Sequence, residues 1–405
     1  MTHGKTQAVK LLAFSIFEAN KFNTCAGIEG TMDTVWKVLL WSLGALFEGR
    51  FPATDWRNRE YAAGSSEHLL VGQRLCSEAE PYFCVLWSIT GDLDWYTKCL
   101  GLNNYNADDP CWYCPCDKRK PRNMWPTNFT KRSQWKNMLR TKLDWIADGG
   151  SRHPLFTTFD YISMLNVEMD ELHVLYLGVS QYFLGSILWI LCFTIFSDRT
   201  PEEAIDVVWR EILDQYQKQN IPVQYTAMSL SFFIPSTKRN ETYPRLKGRG
   251  AEVKGLVEPL KEVWAKFKRP SAHDGRVASA LGKLADMQEI LYDFKCDMFL
   301  QFEISDAFLA RTEEFLAEYS YLGVQADIRN ETLFSGVPKL HYMWHFAHRS
   351  RYINPRRVAT FIGEDVVKLC KGIAARSTAD TQLHKVPGKM MDKHRWGVYL
   401  ESLST

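Results

Sequence analysis

The sequence predicts an α/β protein in which a mixed α/β segment is followed by a cysteine-rich loop and then by helices. Residues 82–90 have the composition of a buried strand, and residues 103–160 show little periodicity. Between Pro270 and Pro338 no proline occurs, and apolar residues recur three or four positions apart, which indicates helix. A chain of 405 residues exceeds one average core, so we expect one large domain with insertions or two domains.

The composition excludes several classes of protein. Hydrophobic residues make up 46% of the chain and charged residues 24%, which excludes an intrinsically disordered chain. The net charge of +2 argues against a surface that is basic throughout, so any contact with nucleic acid must come from local patches. The first residues show no secretory signal, and a reducing compartment is therefore the expectation.

The first predicted element is a strand at YFCVLWSIT, residues 82–90, which stops at Gly91 and is followed by Asp92. Carboxylates that lie just past the C-terminal end of a buried strand sit where α/β sheets bind ligands. Asp92 is therefore a candidate functional acid. The alternative is that it caps the helix that follows it.

The next element is the loop that contains PCWYCPC. Cys111 and Cys114 are separated by two residues, the spacing at which one turn presents both thiolates to a zinc ion. The segment MDELH offers Asp170 and His173 as completing ligands, because residues at i and i+3 share a helical face. Cys116 competes for the fourth position. The alternative is a set of reduced loop cysteines with no metal.

A second group of potential metal ligands lies in HYMWHFAH. His341, His345 and His348 have helical spacing and could also bind a metal. We favour a simpler interpretation, in which this helix packs its Tyr342 and Trp344 and the histidines are hydrogen-bonded or half exposed.

The cysteine-rich loop continues into a basic stretch with no acidic residue. Trp125, Phe129 and Trp135 are interleaved with the cations, an arrangement that suits neutralising phosphates and stacking on unpaired bases. The alternative is a solvated basic loop. The nine basic residues are Lys118, Arg119, Lys120, Arg122, Lys131, Arg132, Lys136, Arg140 and Lys142.

Residues 174–196 carry no charge and are long enough to cross a bilayer as a helix. No basic cluster flanks them, so we favour a helix that is buried on all sides over a membrane span. Further helices are predicted at residues 277–294 and 308–324.

The order of five short motifs resembles that of the eukaryotic cut-and-paste transposases with an RNase H-like fold, particularly the Kyakuja-Dileera-Zisupton superfamily and its CACTA-type relatives. The resemblance covers roughly residues 80–395. The motifs are GDLDWYTKCLGL (91–102), PCWYC, MDELHVLYLGV (169–179), YPRLKGRGAEVKGL (243–256) and PKLHYMWHFAH (338–348).

This resemblance implies an RNase H-like mixed-sheet core that cleaves and transfers DNA strands with two Mg²⁺ ions. Asp92 would match the second metal-binding carboxylate and Glu252 the third, although Glu252 could instead be a solvated acid at the start of a helix. Asp33 is the best candidate for the first acid. The alternative is a catalytically silent descendant, a zinc-stabilised module that binds DNA or protein.

The resemblance also implies an organisation along the chain. DNA is the expected partner, homo-oligomers are compatible with it, no membrane is expected, and the nucleus is the expected location. The implied parts are 1–102, the first part of the core; 103–173, the basic zinc-binding insert; 174–240, a helical insertion; 241–269, the last acid and core helix; and 270–405, a C-terminal helical region.

Overall fold

The structure, a computed structural model, describes residues 23, 29–76, 83–234, 241–378, 381–382 and 385–403. These residues are helical or irregular. Within these ranges β-pairing is limited to three isolated bridges, Arg50–Arg74, Thr54–Glu60 and Ile89–Val167. The predicted α/β class, with its RNase H-like mixed sheet, is therefore wrong for the described chain.

The helices have the following bounds, with residues 172–195 counted as one continuous helix. They are α1 (Thr31–Glu48), α2 (Ser66–Leu70), α3 (Leu93–Leu100), α4 (Lys142–Ala147), α5 (Pro154–Thr158), α6 (Leu172–Ile195), α7 (Pro201–Lys218), α8 (Gly250–Phe267), α9 (Ala272–Asp293), α10 (Phe302–Ile328), α11 (Lys339–Arg349), α12 (Phe361–Thr378) and α13 (Val386–Leu403).

Of the segment predicted as a buried strand, residues 83–90 are described and residue 82 lies outside the described residues; the described part forms a β-bridge only near its end, at Ile89. Ile89 donates its N–H to Asn166 at 2.7 Å and accepts from Glu168 at 2.9 Å. Phe83 is 65% exposed and Trp87 is 53% exposed. Aromatic and β-branched composition reports how well a residue fits a pleated surface, whereas a sheet also needs neighbouring strands, which composition cannot supply.

The chain divides into two compact units. Unit 1 comprises residues 1–87, 157–159 and 361–405, and in it α12 packs against α13. Unit 2 comprises residues 88–156 and 160–360 and contains the cysteine-rich loop. The candidate functional residues other than Asp33 all lie in unit 2.

The centre of unit 2 is α6, the apolar segment singled out above. This helix is long and apolar enough to cross a membrane by length and composition, and 83% of its most apolar window is buried inside the protein. It packs against α7, α8 and α11. Burial on all sides explains why an uninterrupted apolar run is needed here, as expected for a core helix.

Aromatic side chains join α6 to α10. Phe183 of α6 meets Phe315 edge to face, with ring centroids 5.2 Å apart, and lies 5.8 Å from Tyr319. Phe334, in the loop after α10, closes the cluster at 6.1 Å from Phe183. Such offset and edge-to-face contacts add to the free energy of simple apolar burial.

Local sequence determines where several of these helices begin. The hydroxyl oxygen of Thr200 accepts a hydrogen bond from the N–H of Glu203, and the Glu203 carboxylate accepts one from the N–H of Thr200. Pro201 occupies the first turn of α7. Ser271 caps α9 in the same way by accepting from the N–H of Asp274.

Candidate metal centre

The turn that carries the cysteine pair is held by polar contacts from its own loop. The N–H of Tyr113 points at Sγ of Cys111, 3.3 Å away. Arg140 donates from Nη1 to the carbonyl oxygens of both Cys111 and Cys114, at 2.7 Å each. One guanidinium therefore fixes both ends of the turn, so that the two thiols face the same side.

Four potential metal ligands converge at this turn. Their ligand atoms, the Sγ atoms of Cys111, Cys114 and Cys116 and a ring nitrogen of His341, all lie within 4.8 Å of one another. His341 Nε2 is 3.4 Å from Sγ of Cys114 and 3.5 Å from Sγ of Cys116. None of the four residues is more than 1% exposed.

A hydrogen bond orients the imidazole of His341. Its Nδ1 lies 3.1 Å from the carbonyl oxygen of Pro126, which can only accept, so the ring carries its proton on Nδ1. Nε2 is then the ring nitrogen that faces the sulfurs, and it can bind a metal once it carries no proton. Histidines that ligate metals are commonly oriented by such a bond.

The buried donors perturb one another strongly. Burial raises the pKa of Cys111, but hydrogen bonds from Cys114 and Cys116 outweigh it and hold the pKa of this thiol well below its usual value. Burial lowers the pKa of His341, whereas the neighbouring thiolates of Cys116 and Cys111 raise it, to about 10. The two shifts describe a buried thiolate that is balanced by the cationic ring of His341, and a bound metal ion can take over that balancing role.

Aromatic packing fastens the cysteine turn to α11. Tyr342 donates from its hydroxyl to the carbonyl of Pro110 at 2.5 Å, and its ring lies 5.2 Å from that of Trp112. On the other side Trp135, fully buried, places its ring 4.4 Å from that of His341. The centre is thus shielded from water.

These donors suit zinc. Three thiolates and one imidazole form a soft, four-ligand set, and a tetrahedral site with no position left for water is typical of structural zinc sites. The prediction of a zinc site at Cys111 and Cys114, with Cys116 as a further ligand, is consistent with this cluster. The histidine that completes it is His341 of α11.

The other predicted ligands, Asp170 and His173, contact each other instead. Asp170 Oδ2 lies 2.5 Å from His173 Nδ1 and accepts from the hydroxyl of Thr360 at 2.6 Å, while Oδ1 accepts from the N–H of Thr360 at 2.7 Å. These bonds occupy the carboxylate and lower the pKa of Asp170 against the effect of burial, which raises it. The i, i+3 spacing places the two side chains side by side, as predicted. They bond to each other there and are not part of the metal centre.

The three candidate catalytic acids have other roles or locations. Asp92 caps α3 by accepting from the N–H of Trp95 at 2.6 Å. Glu252 accepts from the N–H of Arg249 at 2.8 Å at the start of α8. Asp33 lies in the first turn of α1, in unit 1.

Within the described part of the chain, no carboxylate cluster for Mg²⁺ accompanies these acids. The Cys/His centre is the one convergent group of three or more His, Cys, Asp and Glu ligands among the described residues. The alternative considered for Asp92, a helix cap, therefore matches its position. Glu252 lies at the start of a helix, as its alternative proposed, but it is 15% exposed and paired with Arg249, not solvated.

The basic stretch divides into two parts. Its more N-terminal cations are exposed, whereas Lys136 is largely buried and pairs with Glu313 at 2.7 Å. Trp135 belongs to the core, and Phe129 is buried too, so neither can stack on a base. Trp125 is at the surface, 36% exposed. The exposed cations are Lys118, Arg119, Lys120, Arg122, Lys131 and Arg132.

Sequence reasoning undervalued α11. The spacing of its histidines indicated a metal site, whereas the aromatic residues around them indicated a packing role. Each interpretation applies to a different histidine of this helix. His341 is a ligand candidate, whereas His348 stacks on Trp344 with ring centroids 5.1 Å apart. The signal that could have found His341 is the third cysteine: three thiols need only one imidazole.

Comparisons with known proteins add no assignment. No protein-family model, no curated protein and no solved structure matches this chain.

Proposed function

We propose that this chain is a zinc-stabilised DNA-binding module, a catalytically silent descendant of a transposase, that works in the nucleus. In this proposal the metal centre fixes the cysteine-rich loop on α11, and the loop presents its exposed cations to the DNA backbone. The observation that carries the proposal is the arrangement of one loop, with its buried face in the metal centre and its basic side chains outside.

The charge of the loop's outer surface supports a polyanionic partner. Lys118, Lys131 and Arg132 are exposed and lie in no ion pair within 4.0 Å of a described carboxylate, although Lys131 is near enough to Glu313 to lower the pKa of that acid. Arg119, in contrast, is paired with Asp117 at 2.9 Å. Phosphate contacts by such free cations supply affinity without sequence preference.

The surface of this loop also suits duplex backbone better than splayed bases. Trp125 is the exposed tryptophan among the aromatic residues of the stretch, and its Nε1 already donates to the carbonyl of Lys120 at 2.9 Å. Arg122 lies over its ring at 5.7 Å. A single, partly covered ring offers little stacking area compared with the charge around it.

A catalytic role is disfavoured by the described acids. Two-metal strand cleavage needs carboxylates that share two ions roughly 4 Å apart. Asp92 and Glu252 serve instead as helix caps. The hypothesis of a catalytically silent module therefore agrees better with the positions of these acids than the hypothesis of a nuclease does.

The test measures binding of the full chain to a 30-base-pair duplex by fluorescence anisotropy at several salt concentrations. We expect Lys131→Ala/Arg132→Ala to weaken binding and to reduce the slope of log K against log salt by about 2, since each lost phosphate contact removes roughly 0.9. Lys218→Ala, at an exposed lysine paired with Asp214 in α7, is the matched control and should change neither quantity.

A slope that is the same in the double variant and the wild type would exclude this loop as the DNA-binding surface. A parallel plasmid-nicking assay with Mg²⁺ separates the two functions. We expect no nicking. Mg²⁺-dependent nicking that Asp92→Asn abolishes would establish the nuclease and overturn the silent module.

A further inference from the structure

A fifth potential ligand lies beside the four that form the centre. His345 follows His341 by one helical turn on α11, and it is 1% exposed. Its Nε2 lies 3.3 Å from Sγ of Cys111 and 3.1 Å from Nε2 of His341. The same ring nitrogen therefore touches both a thiol and the imidazole of the predicted tetrahedral set.

These separations are those of atoms that share a metal. With Zn–N bonds of about 2.0–2.1 Å and Zn–S bonds of about 2.3 Å, the ligand atoms of a tetrahedral site lie roughly 3.3–3.8 Å apart. The 3.3 Å contact of His345 with Cys111 lies at the lower end of this range, and its 3.1 Å contact with His341 falls slightly below it. His341 itself lies 3.4 Å and 3.5 Å from Cys114 and Cys116.

The five donors are not held equally. Cys111 and Cys114 belong to the turn that Arg140 fixes through both carbonyls. Cys116 lies outside this turn, beyond Pro115, and its carbonyl is not one of the two that Arg140 holds. Of the three thiols, Cys116 is therefore the one that the structure ties least firmly to the metal position.

We infer that His345 is a reserve ligand, which takes the fourth coordination position when Cys116 leaves it. The resting centre then has three sulfur ligands and one nitrogen ligand. After the exchange it has two of each and keeps its metal. The zinc–sulfur bond of Cys116 breaks, a zinc–nitrogen bond to Nε2 of His345 forms, and the departing thiolate takes the proton that Nε2 gives up, so atoms and charge balance.

The test uses the purified full chain, with zinc content from plasma mass spectrometry and the ligand count from zinc X-ray absorption. We expect Cys116→Ser to retain about one zinc per chain, bound by two sulfurs and two imidazoles. Cys116→Ser/His345→Ala should lose it. Cys116→Ser/His348→Ala is the matched control and should retain zinc, because His348 stacks on Trp344 instead of facing the thiols.

Two results would overturn the inference. One is loss of zinc from Cys116→Ser and from Cys116→Ala alike, which would show that no donor replaces the thiolate. The other is retention of zinc by Cys116→Ser/His345→Ala at the level of its control. A ligand count that stays at one imidazole in Cys116→Ser would count equally against it, since a packing role for His345 predicts that value.

Discussion

A single guanidinium links the chemistry of the metal centre to the backbone that carries it. Arg140 is mostly buried, donates to two carbonyls of the cysteine turn, and pairs with Asp148 at 2.8 Å. It touches no ligand atom, so its effect on the metal passes through the geometry of Cys111 and Cys114. Residues in this outer position commonly change metal affinity by 10- to 100-fold.

We predict that Arg140→Ala lowers zinc affinity by roughly 10- to 100-fold, because the turn loses the donor that holds both carbonyls. Competition with a chromophoric chelator measures this. Arg210→Ala is the control: Arg210 is exposed on α7 and bonds only within its helix, so its affinity should match the wild type. Equal affinity of all three proteins would mean that the turn is held without Arg140.

The ligands of the metal centre could be predicted from the sequence only in part. The spacing of Cys111 and Cys114 predicted one side of the site, because a turn of that length leaves little freedom. Asp170 and His173 had a suitable spacing as well, but two side chains that can bond to each other do not need a metal. His341 lies 227 residues after Cys114, and local spacing holds no information about a contact between residues so far apart in the chain.

At the scale of elements, close packing of α8 against the preceding loop depends on a glycine. A Cβ at Gly255 would lie 2.2 Å from the carbonyl oxygen of Val223, a backbone atom that cannot swing aside. In α9, a Cβ at Gly282 would meet nothing within 4 Å. The two positions therefore separate the effect of packing from that of helix propensity.

We predict opposite outcomes for alanine at these two sites. Gly255→Ala should lower the free energy of unfolding by about 1–3 kcal/mol through overpacking. Gly282→Ala should raise it by about 0.5–1 kcal/mol, since alanine favours helix more than glycine does. Urea denaturation followed by circular dichroism gives both values. A stabilised Gly255→Ala would contradict the close approach of Val223.

Helices could be predicted because the signals that specify them lie within their own sequence. Capping residues such as Thr200 and Ser271, and apolar side chains three or four apart, specify a helix locally. Whether residues 82–90 form a strand could not be predicted in this way, because strand pairing depends on segments elsewhere in the chain. Propensity could not reveal that, among the described residues of this segment, Ile89 is the one in a β-bridge, and the predicted sheet depended on that pairing.

At the scale of the molecule, the metal centre joins the irregular loop to a helical assembly. The loop has little regular structure of its own between α3 and α4, and long irregular loops gain order from such cross-links. Its ligands come from both sides of the contact. Loss of the metal should therefore disorder the loop while leaving the packing of α9 on α10 in place.

We predict that Cys111→Ser/Cys114→Ser, which leaves three donors, releases zinc and exposes residues 118–142 to trypsin. Metal analysis and mass spectrometry of early fragments measure the two effects. Cys84→Ser/Cys296→Ser changes two exposed cysteines and should behave as the wild type. Early cleavage within α9 or α10 instead would mean that the centre supports the helices and not the loop.

The distance along the chain between the two halves of the centre bears on how the protein is made. His341 lies 227 residues after Cys114. At ribosomal rates of about 5–20 residues per second, the thiols leave the ribosome roughly 10–45 s before the imidazole that completes the site. During that interval the cysteines of the nascent chain lack their histidine partner. Oxidants and competing metal ions reach them more easily then than after the site is complete.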